Sequence, residues 1–244
     1  MSKINTDTVT KKSIEDFVNN NFVSTPKSII FWDTCAFLNN IRFIYRDCDD
    51  AVATINVINS LKAKIINSYI YSVASNIEIN EWNDNIDKAL SEFQTSLERT
   101  TKYNNDATSV INIINGSSYA TESIANKGLA HALMAIAKSI AENTIYLMED
   151  EDIAYNALHR TKEKNPPAGV KNEFNDCVIW ETMLRLSEQV EMVDSSKSRV
   201  FYTANFKDFC EANNPQKVLY FLKSEAITKN FTCCVDVVSA ASLL

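Results

Sequence analysis

Ser28-Ile29-Ile30-Phe31-Trp32-Asp33-Thr34 joins an uninterrupted apolar run to an abrupt acid–hydroxyl pair. A short run with no polar alternation marks a strand buried on both faces, as in a parallel sheet. Tyr69-Ile70-Tyr71-Ser72-Val73 and Arg199-Val200-Phe201-Tyr202-Thr203 have the same character and are the second and third expected strands. Between them the apolar spacing is helical: Val52, Ile55, Ile58, Leu61 and Ile65 over 51–67, then Ile79, Trp82, Ile86, Leu90, Phe93 and Leu97. A further helix is expected from about Asn175 to Val190, on the stripe Ile179, Met183, Leu186 and Val190. Strands alternating with helices indicate an α/β fold with a mainly parallel sheet.

The remaining chain is ordered around that frame. Residues 1–25 read as a polar lead-in with one short amphipathic helix near Ile14 to Phe22. From about 76 to 160 the pattern is helical, broken at Asn115-Gly116-Ser117-Ser118. That span is too long for one crossover, so 85–160 is expected to be a helical insertion or subdomain of a single domain covering 1–244. Glu149-Asp150-Glu151-Asp152 reads as a solvated face or helix end. Asn165-Pro166-Pro167-Ala168-Gly169 is a loop, since two prolines stop a helix. Residues 215–224 are expected to be helical and Thr232 to Val238 to form a last strand.

Composition excludes several classes of function. Basic residues number 24 and acidic residues 31, a net charge of −7, which argues against a broad basic nucleic-acid-binding surface and leaves room for a local patch. The three glycines, Gly116, Gly128 and Gly169, are far apart, so no dinucleotide loop, Walker A loop or nucleophile elbow can be assembled. Two histidines and six cysteines without a C-x-x-C give no zinc motif and no disulfide framework. The polar N-terminus shows no signal peptide, and the most apolar stretch, Leu129 to Met148, carries His131, Lys138 and Glu142. A soluble, reduced, cytoplasmic protein is expected.

In an open parallel sheet, ligands bind at the carboxyl ends of the strands. Asp33-Thr34 follows the first strand and Thr203-Ala204-Asn205-Phe206-Lys207-Asp208-Phe209 follows the third. Asp176 falls on the buried stripe at the start of its helix, where a carboxylate must be capped, paired or facing a cleft. A fourth acid is Glu78 or Glu81, just after the second strand. Carboxylates gathered at one sheet edge raise one another's pKa values, and a hard divalent cation with oxygen ligands, Mg²⁺ or Mn²⁺, resolves the repulsion.

These segments, in this order, resemble the PIN-domain nucleases. Ser28 to Thr34 is similar to the family's first strand with its Asp-Thr end, and Val73 to Trp82 to its second strand and glutamate-bearing helix. Phe174-Asn175-Asp176-Cys177-Val178-Ile179-Trp180-Glu181 resembles the helix with the third acid, and Val200 to Phe209 the strand followed by T-x-[ND]-x-x-D-F. The Pro-Pro loop and the long helical region resemble a larger PIN-like branch. The resemblance implies a three-layer α/β/α fold and metal-dependent cleavage of RNA. Asp33, Glu81 (with Glu78 as the alternative) and Asp176 would hold Mg²⁺ or Mn²⁺, Asp208 or Asn205 would complete the site, and Thr34, Thr203 and Asn205 would support it.

Arg160, Lys162, Lys164 and Lys171 flank the Pro-Pro loop, and Lys207 sits beside Asp208; these are the expected phosphate contacts. Trp32, Trp82 and Trp180 fall in apolar runs and are expected in the core rather than stacked on bases. Cys35 stands where the family usually has Asn, and Asn205 where many members have Asp. Both departures keep a second reading open, a degenerate RNA-binding or assembly module. A haloacid-dehalogenase-type phosphatase also places Asp and Thr at strand ends, but it needs an acid at the position of Cys35. PIN-like proteins include toxins, defence nucleases and RNA-processing enzymes, and the helical region offers a surface for a protein partner or a second copy; no membrane association is expected.

Overall fold

The computed structural model describes residues 2–45, 50–169 and 173–244. In chain order the elements are β1 (Thr10–Ser13), α1 (Ile14–Phe17), β2 (Ile29–Trp32), α2 (Thr34–Arg42), α3 (Ala51–Ile66), β3 (Tyr71–Ser75) and α4 (Ile77–Asn115). There follow α5 (Leu129–Glu142), β4 (Ile145–Met148), α6 (Glu151–Glu163), α7 (Phe174–Val193), β5 (Arg199–Tyr202) and α8 (Phe206–Phe209). The chain ends with β6 (Cys210–Glu211), β7 (Asn214–Val218), α9 (Tyr220–Thr228), β8 (Thr232–Cys234) and α10 (Val237–Ser242).

Among the described residues, six strands form one parallel sheet in the order β1-β4-β3-β2-β5-β8. The central strand β2 alternates between two cores. Ile30 and Trp32 point to a layer containing the buried faces of α2, α3, α4, α5 and α10. Ile29 and Phe31 point to the opposite layer, built from α1, α6, α7 and α9. Both faces of β2 are therefore apolar, and the period-two alternation that marks a one-sided sheet is absent from it. The result is the expected three-layer α/β/α arrangement. Trp32, Trp82 and Trp180 are all fully buried. Their indole N–H groups donate to Ser72 Oγ, the Ser2 carbonyl and Glu225 Oε2, at 2.9, 3.2 and 2.8 Å.

Several local expectations are corrected. The 85–160 span is not wholly helical, because β4 lies within it and pairs on both sides, with β1 and β3. The lead-in contains an edge strand, β1, ahead of α1 and the π-helical turn Val18–Phe22. The segment from 214 to 218 is extended, pairing antiparallel with β6, and the helix starts only at Tyr220. After Cys234 the chain turns helical, with Asp236 capping α10 through the Ser239 N–H at 2.7 Å. Asp150, in the acidic run, does the same for α6 through the Ile153 N–H. Among the described residues no helix is long and apolar enough to cross a membrane.

From β2 the chain winds outward through β3 to β4, then returns to the other side of β2 for β5 and β8. The reversal falls between β2 and β5, where the loops leaving two adjacent parallel strands diverge and open a crevice at their carboxyl ends.

Candidate active site

Asp33 is the residue immediately after β2. Its N–H continues the ladder to the Tyr202 carbonyl at 3.0 Å, so its backbone is held by the sheet. Its side chain caps α2 through the Cys35 N–H at 3.4 Å. Across the crevice, Thr203 follows β5 and donates its hydroxyl to Asp33 Oδ2 at 2.5 Å. The same Thr203 oxygen accepts the Asn205 N–H at 3.0 Å. Asn205 in turn offers its amide N–H₂ to both oxygens of Asp176, at 3.3 and 3.4 Å. Asp176 sits in the first turn of α7, where the helix N-terminus favours a carboxylate.

A second chain of bonds closes the group from the β3 side. Glu81, on α4, accepts the Thr34 hydroxyl at 2.7 Å with one oxygen and the Asn175 amide at 2.8 Å with the other. Thr34 and Asn175 neighbour Asp33 and Asp176 in sequence, so Glu81 is tied to both acids. Glu78, one turn earlier, is 1% exposed. Its Oε1 accepts the Ser75 N–H at 3.1 Å, and its Oε2 is buried without a hydrogen-bond partner among the described residues. Asp208, in the short helix α8, likewise has a buried, unpartnered Oδ1.

The electrostatics follow from this crowding. Burial lifts the Asp33 carboxyl to about 7, against the pull of the Thr203 hydroxyl, and the charge of Glu81 adds to the rise. Asp176 is lifted to about 8, first by burial and then by the charges of Asp33, Asp208, Glu81 and Glu173. Glu78 is pushed well above the usual carboxylate range by burial and by Asp33, with Glu81 adding to it. The Cys35 thiol rises for the same reasons, burial followed by the charges of Asp33, Asp176 and Glu81. These acids lie in one electrostatic environment that prefers protons or a cation to free negative charge. Thr203→Val keeps the shape and removes the donor. Asp33 should then titrate above about 7, and a carbon-detected NMR titration of its carboxyl would read the shift.

A family model for the PIN domain matches residues 30–209, well over half of the chain, from β2 to the end of α8. The chain belongs to the PIN-domain family. The matched span of this PIN domain contains Asp33, Glu78, Glu81, Asp176 and Asp208, whereas β1 and everything after α8 lie outside it. A PIN domain is a nuclease-type fold. Comparisons with curated proteins and with solved structures found no match.

The expected acids therefore meet at the crevice of the PIN domain: Asp33, Glu81 and Asp176 through hydrogen bonds, Asp208 through its charge on Asp176. Thr34, Thr203 and Asn205 make the supporting bonds. Asn175 had no signal of its own in the sequence, since an exposed asparagine at a helix start is ordinary. Among the described residues, no three His, Cys, Asp or Glu side chains already form a metal-holding cluster. The donor set nonetheless fits a hard cation in its chemistry: it is all oxygen, two of its buried oxygens lack partners among the described residues, and its members resist ionising together.

The basic residues divide. Lys162 and Lys164 are exposed at the end of α6, and Lys207 lies in α8 beside Asp208. Lys171 lies outside the described residues. Arg160 is not a surface phosphate contact. It is buried, with its guanidinium bonded to Glu181 at 2.8 Å, Glu225 at 2.9 Å and the Pro166 carbonyl at 2.7 Å. A guanidinium so engaged has no donors left to offer a substrate.

Proposed function

We propose that this PIN domain is a divalent-cation-dependent nuclease that hydrolyses phosphodiester bonds in RNA. The observation that carries the reading is the linked group Asp33–Thr203–Asn205–Asp176 at the sheet's switch point, joined by Glu81 through Thr34 and Asn175. Asp33, Glu81 and Asp176 would hold Mg²⁺ or Mn²⁺, with Asp208 completing the set and Glu78 as the alternative glutamate. Held by those carboxylates, such a cation would supply an activated water and neutralise charge on the phosphate.

The chain's own residues do the rest. Thr34, Thr203, Asn205 and Asn175 orient the carboxylates, the supporting contacts on which such sites depend. Without the cation, burial and neighbouring charge leave Asp33 and Asp176 holding protons near neutral pH, so protons compete with the cation and activity at limiting Mn²⁺ should rise as pH is raised. Lys162, Lys164 and Lys207 are the cations that would offset repulsion between the substrate backbone and a chain of net charge −7. The expected setting is the cytoplasm, where the five described cysteines, all free, would remain reduced.

Cys35 and Asn205 support a second reading, a PIN fold that binds RNA without cutting it. Incubation of labelled single-stranded RNA with Mg²⁺, Mn²⁺ or EDTA separates the two. Cation-dependent cleavage should fall by at least about a hundredfold in Asp176→Asn, since losing even an outer-shell partner costs ten- to a hundredfold. RNA binding without cleavage in wild type would select the second reading. Phosphate release from small monoesters alone would select a phosphatase instead.

A further inference from the structure

The long helix α4 changes character along its length. Up to Thr101 its inward face is buried under α2, α5 and the turn Ile124–Lys127. Beyond that point it is buried nowhere, yet its sequence stays apolar on one side. Tyr103, Ala107, Val110 and Ile114 recur at steps of 4, 3 and 4, the spacing of a coiled-coil seam, and Ile111 and Ile113 flank it. Tyr103 is 74% exposed, Ile113 83% and Ile114 75%. The opposite face is already used: Asn112 bonds back to the backbone of Tyr119, on the loop that follows the helix.

We propose that this segment of α4 is the seam of an antiparallel, two-fold interface with a second copy of the same chain. Three observations favour a second copy over another partner. The first is area. Tyr103, Val110, Ile113 and Ile114 are each more than half exposed, and two such faces packed together approach the lower bound of about 1,200 Å² found for specific interfaces. The second is shape, because the small Ala107 at the middle of the seam lets two helix backbones approach. The third is charge. An antiparallel pairing centred between Ala107 and Val110 sets Tyr103 against the partner copy's Ile114. It also sets Lys102 and Arg99 beside the carboxyl end of the other α4, the negative end of its dipole. A face carrying Asp106 as the single charge between Tyr103 and Ile114 offers nothing to a basic partner or to nucleic acid.

Sedimentation velocity on the full chain tests the pairing, from about 1 to 100 μM, where a micromolar dissociation constant shows as a shift to dimer. Wild type should shift to dimer within it. Val110→Asp with Ile114→Asp should remain monomeric at the top of the range and melt where dilute, monomeric wild type melts, because neither side chain is buried. Lys102→Glu should weaken the dimer several-fold. Mixing Ala107→Cys with Val110→Cys should give a heterodimeric disulfide under mild oxidation. A wild type monomeric throughout, a dimer indifferent to the double substitution, or a monomer whose patch binds an unrelated protein would overturn the proposal. No metal enters the test, so its result is independent of the nuclease reading.

Discussion

Asp33→Asn should make the metal-free protein more stable at pH 8 while removing its response to Mn²⁺. In the folded chain the Asp33 carboxyl titrates at about 7, against a usual 3.8. The native state therefore binds more protons than the unfolded chain between those values. Stability falls as pH rises through that window and is flat on either side. Asp176, lifted to about 8, extends the decline. For the fully buried Asp33 the ionised form costs on the order of 4 kcal/mol, the conversion of about three pH decades. The asparagine carries no charge to desolvate, so urea unfolding in EDTA should show a gain of about 2–4 kcal/mol at pH 8 and little change at pH 4. Added Mn²⁺ should stabilise wild type progressively and leave the variant unmoved. Equal pH slopes for the two proteins would refute the electrostatic account of the cluster.

Arg160→Ala should cost about 3–5 kcal/mol, a drop in melting temperature of roughly 10 °C for a chain of this size. Arg160 joins α6 to α7 through Glu181, to α9 through Glu225 and to the Pro166 carbonyl. Removing the guanidinium leaves two carboxylates facing each other with one cation fewer, and Glu225 retains the Trp180 indole as a donor. Arg160→Lys should recover little, because a point charge cannot reproduce the forked contacts. Weakened cleavage with undiminished thermal stability would instead return Arg160 to the role of a phosphate contact.

The parts of the fold that could be read from the chain are those whose burial is extreme. β2 and β5 are apolar at almost every position because both faces are covered, and α3, α4 and α7 carry stripes long enough to show a period. β1 escaped notice because Thr10-Lys11-Lys12-Ser13 contains no apolar residue. An edge strand joined by backbone bonds alone needs none, and its lysines discourage further pairing. β4 was hidden for the opposite reason: Ile145-Tyr146-Leu147-Met148 extends the apolar sequence of α5, and four apolar residues fit a buried strand or a helix equally well.

At the site, Asp33 stood out as an acid ending an apolar run, whereas Asp176 alone reads equally as a partner of its helix dipole and Asp208 competes with Asn205 for the same place. The choice between Glu78 and Glu81 did not stand out either, since it depends on which side of α4 meets the crevice. The structure brings both in: Glu81 at the rim with both oxygens occupied, Glu78 sealed beneath with one oxygen bare. The fate of Arg160 was also invisible, because its partners lie 21 and 65 positions away.

The bond between Thr203 and Asp33 spans 170 positions of the chain. During synthesis at about 5–20 residues per second, roughly 10 s or more separate the emergence of the first acid from that of the hydroxyl that orients it. A polypeptide still attached to the ribosome therefore carries the early strands and helices long before it carries a finished acidic centre. The strand order that builds the crevice also delays its completion until synthesis has passed Thr203.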